Sequence, residues 1–148
     1  MFEHVGNRNY DCFLRICNQR LKPEGLLLLH TIGVAHPDVP NVDPWLNEYI
    51  FPGGMLPRLS DLISKMDGHF VLEDMHNFGF DYCRTLLAWK GNFEREWPRL
   101  QDKYGHTFGR MWSYYLNFCA ALFYTRRIHL WQVVISPTGM RGGYVSNR

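Results

Sequence analysis

The segment Leu21–Gly33, LKPEGLLLLHTIG, decides the fold class. Lys22, Pro23, Glu24 and Gly25 have the composition of a turn. The apolar run from Leu26 to Ile32 follows directly, and it is too short for a typical buried helix. We interpret this run as a buried strand of a parallel sheet, because such strands are apolar on both faces.

An amphipathic helix precedes this turn. Between Tyr10 and Leu21 the apolar residues recur at helical spacing, with polar residues on the opposite face. A helix, a turn and an apolar strand form the second half of a βαβ unit, so the predicted fold class is α/β. This pattern requires a strand before the helix, and no such strand is present between Met1 and Tyr10. We therefore expect the first strands of the sheet to be missing.

The remaining elements follow from the same periodicities. We predict a long ordered loop with a short helical turn, four further helices and two further strands. In chain order these are the loop 34–54, helices at 57–66, from Asp81, from Pro98 and at 108–123, with strands at 70–75 and 128–136. The chain is predicted to be one unit with four sections: a helix and strand of the Rossmann-like core (1–33), a loop and helical region (34–127), a final strand (128–136) and a frayed tail (137–148).

Composition excludes several classes of protein. The net charge of +2 over 148 residues is too small, and the basic residues too scattered, to favour a nucleic-acid partner. No apolar stretch approaches the roughly 20 residues that span a bilayer, and the opening residues do not resemble a signal peptide. We therefore expect a soluble, cytoplasmic protein. Four cysteines without metal-type spacing are expected to be reduced and packed as small apolar groups: Cys12, Cys17, Cys83 and Cys119.

Polar side chains at strand ends are the candidates for chemistry. His30 ends the run LLLLH, His76 follows the next predicted strand, and Tyr82 lies on the first turn of a helix. The carboxyl ends of strands in an α/β sheet form sites, although His30 could equally be a satisfied, partly buried histidine. At His76 the alternative is turn chemistry by Asn77 and Gly79. A zinc site of Glu3, His30 and His76 has no supporting ligand spacing, so we predict no metal.

Several longer motifs carry a resemblance to a known family. They are MFEHVG (1–6), LKPEGLLLLHTIG (21–33), VDPW (42–45), YIFPGG (49–54), HNFGFDYCRTLLAW (76–89) and LWQVV (130–134). In this order they resemble the cyclopropane-fatty-acyl-phospholipid synthases and the related mycolic acid methyltransferases. The resemblance runs from Met1 to about Ser136 and implies the C-terminal part of a class I methyltransferase. In that family the glycine-rich cofactor loop precedes the MFEHVG motif, so no cofactor-binding residue is assigned here.

The resemblance also implies a reaction. Family members use S-adenosylmethionine to transfer a methylene group to the double bond of an unsaturated phospholipid acyl chain, through a carbocation that loses a proton. The resemblance implies that a bicarbonate ion, the base for that proton, is bound by Glu3, His30, the backbone of Ile32, and Tyr82. Glu3, His30 and Tyr82 are accordingly the expected catalytic residues. The family's bicarbonate-binding cysteine has no counterpart among the four cysteines here.

Partners follow from the substrate. A phospholipid acyl chain implies peripheral contact with a membrane, and the aromatic face at 108–123 is either a wall of the acyl channel or ordinary core packing. Two alternatives remain open. One is a related lipid C-methyltransferase that leaves a methyl branch or a hydroxyl. The other is a non-catalytic lipid- or protein-binding module that pairs its exposed sheet edge in a homodimer.

Overall fold

The computed structural model describes residues 1–146 and divides the chain into two compact units. The first unit contains residues 1–77 and the chain from 129 onward, and the second contains residues 78–128. The boundaries between the two units therefore fall after residue 77 and after residue 128. Residues 147 and 148 of the predicted tail lie outside the described residues.

The first unit contains three helices, three strands and two short 3-10 turns. Their bounds are 3-10 turns at Phe2–His4 and Asn7–Asn9, α1 at Tyr10–Arg20, β1 at Leu27–Gly33, α2 at Pro44–Tyr49, α3 at Leu59–Met66, β2 at Val71–Asn77 and β3 at His129–Ser136. Each predicted element of this unit is therefore confirmed to within two residues at each end. The short turn predicted in the long loop is α2, where Asp43 caps the helix by accepting from the Leu46 N–H at 2.9 Å.

The three strands form one sheet, and all of their pairings are antiparallel. Its strand order is β1-β3-β2, and β3 runs antiparallel to both neighbours. Both pairings within residues 1–146 are antiparallel, whereas the parallel neighbour predicted for β1 is the strand expected before the helix. Because β1 and β2 both oppose β3, they run in the same direction, and their carboxyl ends at Gly33 and Asn77 lie on the same side of the sheet.

The apolar sequence of β1 had predicted a strand that is buried on both faces, but only one face of β1 is buried. Burial alternates along it: Leu29 is 5% exposed, whereas Leu28 is 53% exposed. The reason is that helices α1 and α3 pack against one face of the sheet, where Leu29 joins their core. A continuous apolar run therefore does not distinguish a strand covered on both faces from one covered on a single face.

The core of the first unit lies between the sheet and helices α1 and α3. It is built from buried residues of the 3-10 turn, both helices and the sheet: Phe2, Tyr10, Leu14, Leu29, Leu62, Met66, Trp131, Val133 and Ile135. Trp131 is 1% exposed and its ring occupies the place where Gly33 has no side chain. A Cβ atom at Gly33 would lie 2.2 Å from Trp131 Cζ3, so only glycine fits at this position.

The chain after β3 is anchored where fraying had been predicted. Glu73, the bulge residue of β2, accepts hydrogen bonds from the Ser136 hydroxyl and from the Met140 N–H, the latter at 2.7 Å. The Ser136 oxygen in turn accepts from the Gly139 N–H at 3.0 Å. These bonds hold residues 136–140 against the sheet, because the bulge points a carboxylate at the turn that follows β3.

The side chain of Tyr10 carries a buried hydroxyl that no other group satisfies among the described residues. Its ring stacks on Phe2 with centroids 4.2 Å apart, but its buried hydroxyl has no hydrogen-bond partner among residues 1–146. Burial, followed by the charges of Glu3 and Asp61, raises the pKa of Tyr10 to about 12. Because an unpaired buried hydroxyl is costly, we expect Tyr10→Phe to raise the free energy of unfolding by about 1 kcal/mol. Urea denaturation measures this, and a loss of stability would contradict the described packing.

The second unit is a helical hairpin. Helix α4 covers Gly79–Tyr124, but Gly105 has φ 76° and ψ 159°, which is not helical. In a straight helix Tyr82 and Phe123 would be about 60 Å apart. Their ring centroids are instead 5.2 Å apart, so the chain reverses at Gly105 and its two halves run antiparallel.

One sequence-based boundary in this unit was wrong. The first helical segment begins at Gly79, within two residues of the predicted start at Asp81, but Pro98 lies inside this segment without starting a new helix. Proline is tolerated at the start of a helix or at a kink, so Pro98 alone could not distinguish these positions. The reversal is set by Gly105, whose positive φ suits glycine.

Aromatic rings pack the two halves of the hairpin together. Trp97 lies against Gly109, where a Cβ atom would be 2.4 Å from Trp97 Cζ2, and Phe108 stacks on both Trp97 and Trp112. Four residues of the aromatic face predicted at 108–123 are buried: Tyr115, Leu116, Cys119 and Phe123. The structure thus supports the core-packing interpretation for these four residues.

Two further sequence-based expectations concern the cysteines and the membrane. All four cysteines are free, but only Cys83 and Cys119 are buried, while Cys12 is exposed on α1. The expectation of buried packing is therefore wrong for Cys12, because it lies on the solvent side of its helix. Within residues 1–146, no helix is long and apolar enough to cross a membrane.

Candidate functional site

Glu3 is held against the outer edge of strand β1. Its Oε1 atom accepts a hydrogen bond from the Ile32 N–H at 2.7 Å and another from the Thr31 hydroxyl at 2.9 Å. The Glu3 carbonyl accepts from the Met55 N–H at 2.8 Å, which ties the first 3-10 turn to the loop after α2. Two of the predicted site residues, Glu3 and Ile32, are therefore in direct contact.

The pairing of β1 explains this contact. In an antiparallel ladder the N–H groups of alternate residues point away from the partner strand. The Ile32 N–H points away from β3 and would be unsatisfied if nothing met it at this edge. The Glu3 carboxylate takes the place of a neighbouring strand and accepts this hydrogen bond.

The environment of Glu3 favours its ionised form. Burial is the largest single influence and raises the pKa of the carboxyl, but hydrogen bonds outweigh it. The donors are its own backbone N–H, the Ile32 N–H, the amino group of Met1 at 3.0 Å and the Thr31 hydroxyl. The pKa of Glu3 is therefore lowered below its ordinary value of 4.5, and the group can accept a further hydrogen bond as a carboxylate.

The lowered pKa predicts how stability depends on pH. Folding favours the deprotonated form of Glu3, so its charge stabilises the folded chain above pH 4.5, and this contribution is lost as the pH falls through the lowered pKa. We expect Glu3→Gln to cost about 1 kcal/mol at neutral pH and progressively less at acid pH. Urea denaturation at several pH values measures this difference, with Glu24→Gln as an exposed control. A cost that stays constant down to acid pH would contradict it.

His30 lies on the same strand, with its side chain on the opposite face from Thr31. It is paired across the sheet with Gln132, and Gln132 Nε2 lies 3.4 Å from His30 Nδ1. His76 on β2 is paired with the same glutamine from the other side. The two histidines that the sequence had placed at strand ends therefore occupy one row of the sheet, separated by Gln132.

Tyr82 belongs to the helical hairpin. Its ring makes edge contacts with Trp89 and Phe123, with centroids 5.9 Å and 5.2 Å away. It also faces Tyr115, whose pKa is raised to about 12 by burial and then by Cys119 and Tyr82. Within its own unit, Tyr82 is thus fixed by aromatic packing on the first turns of α4.

A metal site is not supported. No group of three or more His, Cys, Asp or Glu side chains in the described part of the chain is arranged to hold a metal ion. The alternative of zinc bound by Glu3, His30 and His76 therefore finds no support in residues 1–146. The Glu3 carboxylate instead accepts hydrogen bonds from the Thr31 hydroxyl and the Ile32 N–H.

Sequence reasoning missed two residues that contact the predicted site. Thr31 is fully buried and donates to Glu3, and Gln132 contacts His30. The alternation of β1 places Thr31 on the core face, where a buried hydroxyl requires a partner, so a strand assignment could have singled it out. No comparable signal exists for Gln132, because its contact depends on the register between β1 and β3.

Solved structures with this fold define the class of protein. The cyclopropane synthase MmaA2 from Mycobacterium tuberculosis matches with a TM-score of 0.82 and 25% identity, over 91% of this chain and 52% of that one. The mycolic acid cyclopropane synthase CmaA1, solved with SAH and CTAB, matches with a TM-score of 0.81 at 25% identity, with the same coverage. The fold is thus that of about half of a cyclopropane synthase.

Sequence comparison identifies the family. The chain belongs to the mycolic acid cyclopropane synthetase family, whose profile matches residues 1–133. It is 53% identical over 136 residues to the cyclopropane-fatty-acyl-phospholipid synthase of Escherichia coli strain K12. This match includes 92% of the present chain but only 35% of the E. coli enzyme, so the chain spans about a third of that relative. The resemblance inferred from the motifs is confirmed.

Proposed function

We propose that the protein transfers a methylene group from S-adenosylmethionine to the double bond of an unsaturated phospholipid acyl chain and so forms a cyclopropane ring. The observation that carries this proposal is the 53% identity to a cyclopropane-fatty-acyl-phospholipid synthase across 92% of the chain. A sphingolipid C9-methyltransferase from Emericella nidulans is 27% identical over 140 residues. The higher sequence identity to the cyclopropane synthase than to the C9-methyltransferase favours ring closure over a methyl-branched product.

Within that proposal, Glu3, His30, the backbone of Ile32 and Tyr82 bind bicarbonate. When bound, bicarbonate supplies a small base for the proton lost during ring closure. The Glu3 carboxylate suits bicarbonate in particular. An ionised carboxylate can accept a hydrogen bond from the bicarbonate hydroxyl, but it would repel an anion that carries no proton. Because the Ile32 N–H donates to Glu3, the Ile32 carbonyl oxygen is the backbone acceptor that remains as an alternative to Glu3 for this single proton, and it also lies 3.1 Å from the Thr31 hydroxyl.

Each side chain then has a separate role. Glu3 holds the bicarbonate ion, which is the proton acceptor, in place. Thr31 and Ile32 fix the orientation of the Glu3 carboxylate by donating hydrogen bonds to its Oε1 atom. His30 and Tyr82 act as hydrogen-bond donors that orient the anion. The contact of Gln132 Nε2 with His30 Nδ1 favours the neutral tautomer in which Nε2 carries the proton, and that N–H is the donor.

S-adenosylmethionine supplies the one-carbon unit when bound. CmaA1 has been solved with SAH, which supports the same cofactor class here. We assign no residue of this chain to its binding. The substrate also implies peripheral membrane contact, and a homodimer is a further proposal for the exposed edge of β1.

A chimera tests the reaction. The 136 residues that match the E. coli enzyme would replace the corresponding segment of that enzyme, in cells that lack their own synthase. Mass spectrometry of the phospholipids should find acyl chains that are heavier by one CH₂ group and that resist cleavage by ozone, because ring closure consumes the double bond. A methyl-branching enzyme adds the same mass but re-forms a double bond when the proton is lost, so heavier chains that ozone cleaves would indicate that reaction. A folded chimera without modified lipid would argue against both.

A further inference from the structure

The hydroxyl of Thr31 lies within hydrogen-bond reach of two different acceptors. The Thr31 side chain is fully buried, with 0% exposure. Its Oγ1 atom lies 2.9 Å from Glu3 Oε1 and 3.1 Å from the Ile32 carbonyl oxygen. A threonine hydroxyl carries a single proton, so it donates fully to one of these oxygens at a time. The direction of this proton therefore decides which acceptor stays open to a bound molecule.

Both acceptors lie at the outer edge of β1. In an antiparallel ladder the N–H and the C=O of one residue point to the same side of their strand. The Ile32 N–H points away from β3 and donates to Glu3 at 2.7 Å, so the Ile32 carbonyl oxygen also points away from β3. The Glu3 carboxylate and the Ile32 carbonyl are therefore neighbouring acceptors on the edge where the anion site is proposed.

Charge determines which acceptor receives the Thr31 proton. Burial raises the pKa of Glu3, but hydrogen bonds outweigh burial and hold this pKa below 4.5, so Glu3 is ionised at neutral pH. A hydrogen bond to an ionised acceptor is roughly twice as strong as one to a neutral carbonyl. The distance from the Thr31 hydroxyl to Glu3 is also the shorter of the two. Thr31 therefore donates to Glu3 in preference to the Ile32 carbonyl.

We propose that Thr31 is a positioning residue for the bound anion, because its hydroxyl donates to Glu3 and leaves the Ile32 carbonyl oxygen open. Two donors from adjacent residues, Thr31 and Ile32, then hold the same Oε1 atom of Glu3. Both acceptors at this edge require a proton on the anion, so the hydroxyl of bicarbonate faces β1 and its unprotonated oxygens face away from β1. The inference rests on the proposed function in that the anion is bicarbonate.

NMR titration of the Glu3 carboxyl group in the 148-residue chain tests this hydrogen bond without turnover. Thr31→Val removes the hydroxyl and should raise the pKa of Glu3, because one bond that favours the ionised form is lost. Thr31→Ala should raise it as well, and Thr31→Ser, which keeps the hydroxyl, should leave it low. The Met1 amino group, Tyr10 and Asp61, the other titratable groups near Glu3, are the same in every variant. An unchanged pKa of Glu3 in folded Thr31→Val would overturn the inference, since Thr31 would then donate to the Ile32 carbonyl.

The chimera tests the positioning role itself. Thr31→Val should lower kcat about tenfold, whereas Thr31→Ser should stay within about twofold of the wild-type rate. Thr107 is exposed in the second unit, and Thr107→Val, the matched control, should change neither kcat nor the pKa of Glu3. A folded serine variant as slow as the valine variant would overturn the role of the hydroxyl. An inactive wild-type chimera would count against the proposed function, and the pKa of Glu3 would still decide which oxygen receives the Thr31 proton.

Discussion

Glu3→Gln in the chimera is expected to lower the rate of cyclopropane formation by about a hundredfold to a thousandfold. The glutamine side chain can still accept from Ile32 and Thr31, so its position should be kept while its charge is lost. The rate constant should therefore fall more than the affinity for the lipid. Assays of product by mass spectrometry against lipid concentration measure both quantities.

An exposed glutamate provides the control for this prediction. Glu24 has a side chain 68% exposed and makes only a long ion pair with Arg141 at 3.7 Å. Glu24→Gln removes the same charge and should leave the rate unchanged. If Glu3→Gln kept the wild-type rate in a folded chimera, the assigned role of Glu3 would be wrong, whatever the product of the enzyme.

Gly33→Ala is expected to cost about 3 kcal/mol of folding free energy, which lowers the melting temperature by roughly 10 °C. The added Cβ would lie 2.2 Å from Trp131 Cζ3 and 2.8 Å from the Pro57 carbonyl oxygen. Trp131 is 1% exposed and cannot move aside without displacing the core. Thermal and urea denaturation of the 148-residue chain measure the loss.

A helical glycine serves as the comparison for Gly33. Gly91 lies in α4, and a Cβ atom there would meet nothing within 4 Å. Gly91→Ala should raise stability by up to about 1 kcal/mol, as expected from helix propensity. Combining Gly33→Ala with Trp131→Leu should cost less than the two separate losses together, because the smaller side chain relieves the clash. Equal stability of Gly33→Ala and wild type would contradict the described contact.

The elements of the first unit could be predicted because each depends on local pattern. The apolar run at 26–32 and the alternation at 128–136 specify strands in any sheet. Their pairing depends on which strands are adjacent in space, so the antiparallel arrangement of β1 with β3 was not available from either segment. For the same reason the exposure of Leu28 could not be foreseen.

In the second unit, local signals were ambiguous. Pro98 is compatible with a helix start and with a helix interior that has lost one hydrogen bond, and Gly105 alone sets the reversal. Within the candidate site, the hydrogen bond between Glu3 and Ile32 joins residues far apart in sequence. The family resemblance had implied only that both residues bind the same bicarbonate ion, and it had not implied this direct contact. Thr31 was missed because its role depends on the carboxylate that meets it from the first turn.

The most direct measurement of the central claim, that Glu3 and its neighbours hold a bicarbonate base, is the rate of the chimera in buffer stripped of carbon dioxide. The proposed site predicts that the rate falls in stripped buffer and recovers when bicarbonate is added. Glu3→Gln should show a weaker recovery, because the group that accepts the bicarbonate hydroxyl has lost its charge. A wild-type rate that is unchanged by stripping and by added bicarbonate would contradict the claim.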